Sequence, residues 1–541
     1  MINDRMDPIN SNPKQNHMKL VIRKRCKYQV RWFYSKGAFL VLLWTTLISA
    51  TVGSYQFGGR LIIGSHRKNV SIVLMALSCL TCITIPLLGW LADAKLGNYR
   101  VFKVSCFFLL VGAIIISINV LCFPMLNSVA LQNTSAVITV PVYAVGIASI
   151  AVCIMTALQL GLDQMPDASS TNLSSFISWF VFSINLGFWI PELLLYALLY
   201  CTHFSNLNRS QLFSFFPVMC LVIICSTMFL LAPKWLIIEP KSPRALKTIY
   251  KVLKFAAKHK APIYRSALTY WEEDVPSRLD LGKTKYGGPF TTEQVENVKT
   301  FLRILMISLP ILIILSARGY MNPHSFMADS GDVGRLSIEV LHLINSNITA
   351  CTSSMVYTFS VNPWWSGIVT TVVYEFALYP FIRNKVPSSI RRIGGAALLN
   401  LILNILYLAA QFCPHVWGLV LHCVVAFLNG VMFVVILNGM LEFVCAQSPY
   451  NMRGLLTGYM MFLLFLSFSL NNFSGLLLFS NHTLYLDHII RSIYTALSVI
   501  GLVLYCLLAR WYKRRVRDED YNAHRVVEEV YDRYLASVTI N

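Results

Sequence analysis

Twelve apolar stretches constrain this chain more than any other feature. They cover about 37–56, 70–91, 101–123, 137–160, 173–199, 213–232, 302–317, 364–382, 394–412, 417–444, 455–478 and 488–510. About 20 apolar residues in a helix match a hydrocarbon core of ~30 Å. The chain has 541 residues, of which 56% are hydrophobic and only 13% charged. That balance excludes an ordinary soluble protein and predicts an all-α polytopic membrane protein.

The formal net charge of +20 reads as membrane sidedness rather than as a nucleic-acid footprint. Basic residues gather in flanks and in every second loop: Lys19–Lys36, Arg383–Arg392 and Arg510–Arg517. The positive-inside rule then predicts cytosolic termini and cytosolic even-to-odd loops. Arg60, Arg67 and Lys68 in the first outer loop break the pattern. The polar, basic start of the chain predicts no cleavable leader. Asn133, Asn208, Asn347 and Asn481 head sequons in predicted outer loops and are glycosylation candidates. Most of the 14 cysteines lie within spans, so no disulfide framework is expected.

The spans fall into two sets of six. The predicted organisation is a cytosolic tail (1–35), a six-helix bundle (36–232), a basic cytosolic linker (233–300), a second six-helix bundle (301–511) and a second cytosolic tail (512–541). The linker carries about a dozen Lys and Arg and cannot span a membrane. Within it, Arg244–Lys258 reads as a basic amphipathic helix. Its Ala245, Ile249, Val252, Leu253, Phe255 and Ala256 are placed to face a membrane surface or the helical body. Thr291 and Gln294 have capping-box spacing, which predicts a helix from Thr292 into the seventh span. No phosphate-cradling loop appears and no nucleophile–base spacing stands out. His342 and His422 lack metal-ligand partners at useful spacing. Neither an ATP-driven pump nor an enzyme is indicated, and no cofactor or metal is expected.

Between the second and third spans lies GWLADAKLGNYR, with Gly89, Asp93, Gly97 and Arg100 at a regular spacing. Glycines there permit close helix approach and a tight turn. Asp93 and Arg100 are charges at the membrane surface. The spacing resembles the loop of major facilitator transporters, and six spans, a linker and six spans is their layout. Other segments resemble a specific family, the proton-dependent oligopeptide transporters. These are GLDQMPDASS with Asp163 and Gln164, FVFSINLG with Asn185, SRLDLGKTKYGGPFTTEQVENVKTF, VNPWWSGIVTTVVYEFALYPFIR with Glu375, and MLEFVCAQSPYNMRG with Glu442. They run in the family's order over most of the chain. The resemblance implies twelve transmembrane helices in two six-helix bundles, a small peptide-like solute as partner, alternating access and a proton gradient.

The departures bear on coupling. The family's first-helix E-x-x-E-R is replaced by Ser49, Ala50, Thr51, Val52 and Gly53. Ile154 stands at the fourth-helix lysine, Phe433 near the tenth-helix glutamate, and the seventh helix has no acid, only Arg318 near its end. Losing both partners of a buried ion pair can be neutral, whereas losing one costs roughly 3–5 kcal/mol. The expected substrate-binding residues are Arg60, Asn185, Tyr374 and Asn438. Arg60 either meets an anion or snorkels to the surface. Asn185 either binds ligand or joins helices, and Tyr374 can equally be a packing aromatic. Glu375, an intramembrane acid, is the proton-coupling candidate; its other reading is a structural pair with Arg383 or Arg391. Gly89, Asp93, Gly97, Arg100, Asp163, Gln164 and Glu442 are read as gate or cap residues. Asn400, Asn404, Asn429, Asn438 and Asn471 either line a cavity or glue helices. The expectation is a solute transporter in the plasma or endolysosomal membrane. The competing expectation is a non-transporting scaffold whose basic loop and tail bind cytosolic partners or anionic lipid, or a facilitator of another anionic solute.

Overall fold

The computed structural model describes residues 36–64, 68–122, 129–165, 170–200, 206–236, 245–259, 277–318, 363–382, 386–410, 415–449, 452–480 and 484–512. Among them the structure is helical, with one isolated bridge between Lys283 and Phe290. In chain order the helices are α1 (Lys36–Gly64), α2 (Lys68–Cys82), α3 (Thr84–Leu91), α4 (Asn98–Cys122), α5 (Val129–Asp163), α6 (Ser170–Tyr200), α7 (Asn206–Leu230) and α8 (Ala232–Trp235). Then follow α9 (Ala245–Lys258), α10 (Thr292–Ser316), α11 (Pro363–Val373), α12 (Tyr379–Ile382), α13 (Ser389–Ala410), α14 (His415–Gln447), α15 (Arg453–Ser480) and α16 (Leu484–Trp511). Nine helical segments among the described residues are long and apolar enough to cross a membrane. Each of the twelve predicted spans falls on these helices. In a bilayer every backbone polar group must be satisfied internally, and helices do this within one segment.

Two spans depart from a single helix. The second breaks between α2 and α3 at Ile83, because Pro86 has no N–H to bond the carbonyl of Cys82. The eighth is interrupted by a π-helical turn, Tyr374–Leu378. Asn133 and Asn208, expected in outer loops, lie instead within α5 and α7. The apolar windows marked only the membrane-buried part of longer helices. Asn347 and Asn481 lie outside the described residues.

α1 to α7 pack into one bundle and α10 to α16 into the other. They meet where α15 lies against α2, α3 and α5, and where α11 and α14 lie against α6. Large apolar side chains cover the outside, including Phe107 at 62% exposure and Phe229 at 83%. Water would penalise that surface and acyl chains do not. One end of the assembly gathers the start of α1, with Lys36 Nζ 5.8 Å from the Trp235 ring, the linker, and the end of α16, where the Tyr512 hydroxyl donates to Gln447 Oε1 over 3.1 Å. We term this the linker end.

The linker is docked there. Ile249, Val252, Val295, Val298 and Met452 form a small separate core. Thr291 closes a capping box with Gln294 at the start of α10. Gly287 takes a left-handed φ of 85° in the preceding turn. Lys283 and Lys299 both reach Asp280 Oδ1, at 2.7 and 2.5 Å, and Lys283 also reaches Glu296 at 2.6 Å. Burial opposes ionisation of Asp280, but hydrogen bonds from Lys283, Lys299 and Ser277 outweigh it and hold the carboxyl well below the usual range. Burial likewise works against the Lys283 charge, and Asp280 and Glu296 reverse it, leaving the ammonium pKa raised.

Candidate functional site

The polar contacts between the bundles cluster at the linker end. α3 runs into a π-helical turn, Ala92–Leu96, and the chain reverses at Gly97, whose φ of 78° suits only glycine well. This geometry carries Asp93, buried at 3% exposure, across to the other bundle. Asp93 Oδ2 accepts from the backbone N–H of Leu455 over 2.9 Å. Leu455 lies in the first turn of α15, where backbone N–H groups lack intrahelical partners and the helix dipole favours an anion. A Cβ on Gly454 would sit 2.5 Å from Asp93 Oδ1, and one on Gly89 would collide with the Gly454 carbonyl. A Cβ on Gly458 would lie 3.0 Å from Met155 Sδ and 3.2 Å from the Ile85 carbonyl. The glycines therefore set how closely α15 approaches the first bundle.

Two side-chain links flank this contact. Gln159 Nε2 of α5 donates to Thr457 Oγ1 of α15 over 3.1 Å. Ser174 Oγ of α6 donates to Glu442 Oε2 of α14 over 3.0 Å. Glu442 is itself held by Arg392 at 2.5 Å. Gln164 packs within its own bundle, beside Gly37, with Nε2 3.3 Å from the Leu160 carbonyl. Asp163 is the last residue of α5, and Arg100 is exposed in the first turn of α4.

Aromatic pairs extend the α6 interface from there. Trp179 meets Phe376 edge-on at 5.9 Å, Phe188 stacks on Trp364 at 4.4 Å, and Trp189 lies 5.0 Å from Trp365. Asn185 is fully buried in this seam. Its Nδ2 donates to the Val181 carbonyl over 2.8 Å, and a Cβ on Gly367 would lie 2.7 Å from its Oδ1. In this conformation Asn185 is therefore a contact between bundles. Tyr374 and Asn438 each carry a buried oxygen without a hydrogen-bond partner. No hydrogen bond joins Asn185, Tyr374 and Asn438. Arg60 lies on α1, with its side chain outside the described residues.

Glu375 is buried at 2% exposure inside the π-helical turn of the eighth span. The two π-helical turns among the described residues thus each carry a buried acid, Asp93 and Glu375. Such turns recur at functional sites. Arg383 lies outside the described residues.

Arg318 was not singled out by the sequence as a site residue. It is buried just past α10, with Nε 2.6 Å from Asn429 Oδ1 and its guanidinium carbon 4.6 Å from the Phe433 ring centroid. A cation there complements the negative end of the helix. The amides of Asn400, Asn471 and Asn404 donate to the carbonyls of Ile314, Leu315 and Ala317 over 3.1, 3.1 and 2.9 Å. In this conformation these three asparagines join helices by capping the end of α10.

No family model matches the chain. Solved structures do. One is an auto-inhibited POT family peptide transporter, 15% identical, with 88% of this chain and 97% of that chain covered and a TM-score of 0.57. Another is the POT family transporter PepTSo, also 15% identical, with 88% and 98% covered and a TM-score of 0.55. A bacterial homologue of the iron transporter ferroportin in an outward-facing state is 12% identical, with 88% and 100% covered and a TM-score of 0.57. At these identities the likeness is one of fold. It places the chain among multi-pass membrane proteins with the major facilitator fold of twelve helices in two bundles, structurally similar to POT family peptide transporters.

Proposed function

We propose that the chain is a secondary transporter that moves a small organic solute by alternating access. The single observation that carries this reading is the nature of the closure at the linker end. The polar closure rests on one charged hydrogen bond to a helix terminus (Asp93 to Leu455) and two side-chain links (Gln159 to Thr457 and Ser174 to Glu442). A hydrogen bond contributes about 1 kcal/mol net, or 1.5–3 when one partner is charged. The three sum to a few kcal/mol, the range over which ligand binding can shift a two-state equilibrium. The glycine contacts around Asp93 let α15 approach the first bundle closely at this point.

The basic residues at this end, among them Arg391, Arg392 and Lys95, favour a cytosolic placement by the positive-inside rule. The state described is then closed to the cytosol. Gly89, Gly97, Arg100, Asp163 and Gln164 act with Asp93 and Glu442 as gate and cap residues. The motif resemblance favours a peptide or peptide-like solute, with Arg60, Asn185, Tyr374 and Asn438 as contacts and Glu375 as proton carrier. Asn185 meets solute only when α6 and α11 separate.

The test is uptake of labelled dipeptides into proteoliposomes under an inward proton gradient, comparing wild type with Glu375→Gln and Asn185→Ala. Uptake driven by the gradient and abolished by Glu375→Gln supports proton coupling at the eighth span. Uptake indifferent to the gradient indicates a facilitator. No uptake by a monodisperse protein rejects peptides as the solute.

A further inference from the structure

The linker helix α9 has two faces with separate fates. Ile249, Val252 and Ala256 are buried, and Ile249 and Val252 pack with Val295 and Val298 of α10 and with Met452. Leu253 is exposed. It lies on a flank with Tyr250, which is 64% exposed. The side opposite Ile249 carries Lys247, Lys251, Lys254 and Lys258, all exposed. Spaced three and four residues apart, they form one stripe, and α9 contains no acid. Lys254 Nζ lies 5.6 Å from the Tyr250 ring.

The position of α9 follows from the helix it docks on. Val295, Val298, Leu302, Met306 and Leu309 fall on one face of α10 by the same spacing. The linker core covers the first part of that stripe. Its continuation, Met306 and Leu309, is exposed at 53% and 48%, and on a membrane-spanning helix that surface meets lipid. The linker core therefore sits on the lipid-facing side of α10, just beyond the membrane boundary. That is headgroup level, where Tyr rings and Lys side chains are favoured.

We propose that α9 is a strap that binds anionic phospholipid. The Lys247–Lys251–Lys254–Lys258 stripe takes the headgroup phosphates and carboxylates of the adjoining leaflet, while Tyr250 and Leu253 rest at the acyl boundary. Each lysine adds attraction to an anionic surface, and salt screens it. α9 also packs on Met452, next to Gly454 and Leu455. The proposal requires only a membrane-embedded chain and stands whether or not dipeptides are the solute.

The experiment places a benzophenone amino acid at Tyr250 of the full chain. The protein is reconstituted in phosphatidylcholine with or without phosphatidylserine, and adducts are identified by mass spectrometry. The ratio of phosphatidylserine to phosphatidylcholine adducts is expected to exceed the ratio of the two lipids in the membrane at least about tenfold. This preference should fall to parity in K247Q/K251Q/K254Q/K258Q and in high salt, and should survive in the matched fourfold arginine variant. Without any label, phosphatidylserine should raise the melting temperature of wild type and of the arginine variant but not of the glutamine variant. Adducts without headgroup preference, adducts to the chain itself (for instance its acidic Asp518–Asp520 stretch), or equal melting shifts in the glutamine variant would overturn the proposal.

Discussion

Asp93 of the first bundle accepts a 2.9 Å hydrogen bond from the backbone N–H of Leu455 in the second. The two residues are 362 positions apart, yet this contact joins the loop after α3 to the first turn of α15. It satisfies a helix-terminal donor and places a negative charge at the positive end of a dipole.

Removing the carboxylate should loosen the linker end. Asp93→Ala forfeits a capping interaction worth about 1–2 kcal/mol, which corresponds to roughly a tenfold population shift. A cysteine at Thr457, on the same helix face as the contact, should then react faster with a water-soluble thiol reagent. Asp93→Asn keeps an acceptor and should give an intermediate rate. Equal rates in all three would show that the contact does not hold the two bundles together.

Gly454→Ala should reproduce the Asp93→Ala phenotype without touching the acid. Its added Cβ would lie 2.5 Å from Asp93 Oδ1, a distance that forces the carboxylate or the helix to move. Combined with Asp93→Ala, it should add less than the sum of the two single changes, because both act on one contact.

The end of α10 should be sensitive to single amide deletions. Asn404→Leu removes the donor to the Ala317 carbonyl and also the 2.7 Å link to Ser498. An unsatisfied buried acceptor costs about 1–3 kcal/mol, so thermal unfolding in detergent should shift downward. Arg318→Lys keeps the charge but loses the planar face over Phe433 and should also be destabilising.

Linker docking should be indifferent to pH near neutrality. A depressed acid such as Asp280 contributes fully above its unfolded pKa of about 3.9, and that contribution is lost as pH falls through the lower folded value. A raised lysine such as Lys283 contributes fully below about 10.4, and its share is lost as pH rises through the folded value. Hydrogen exchange in α9 should therefore be flat between about pH 5 and 9 once corrected for intrinsic rates. Asp280→Asn should raise it throughout that window.

The spans were legible because a membrane helix leaves a one-dimensional signature: length and apolarity suffice. Gly89, Asp93 and Glu442 were legible as local motifs. Their partners were not. Leu455 contributes only a backbone N–H, Gln159 and Thr457 are lone polar residues among apolar ones, and Ser174 is one of several serines near the start of α6; all are paired across hundreds of positions. Arg318 stood out only as a charge near a helix end, because its environment comes from Asn429 and Phe433 on another helix. Asn400, Asn404 and Asn471 carry the same amide chemistry for lining a cavity or capping a helix, and only tertiary placement separates the two.

The measurement that tests the central claim most directly is the distance between spin labels at Lys103 and Arg391, both exposed at the linker end of different bundles. Pulsed dipolar spectroscopy on the reconstituted chain should show two populations. The shorter should dominate in wild type and the longer should grow several-fold in Asp93→Ala. One distance, unchanged by Asp93→Ala, would contradict alternating access and leave the bundles as a fixed scaffold.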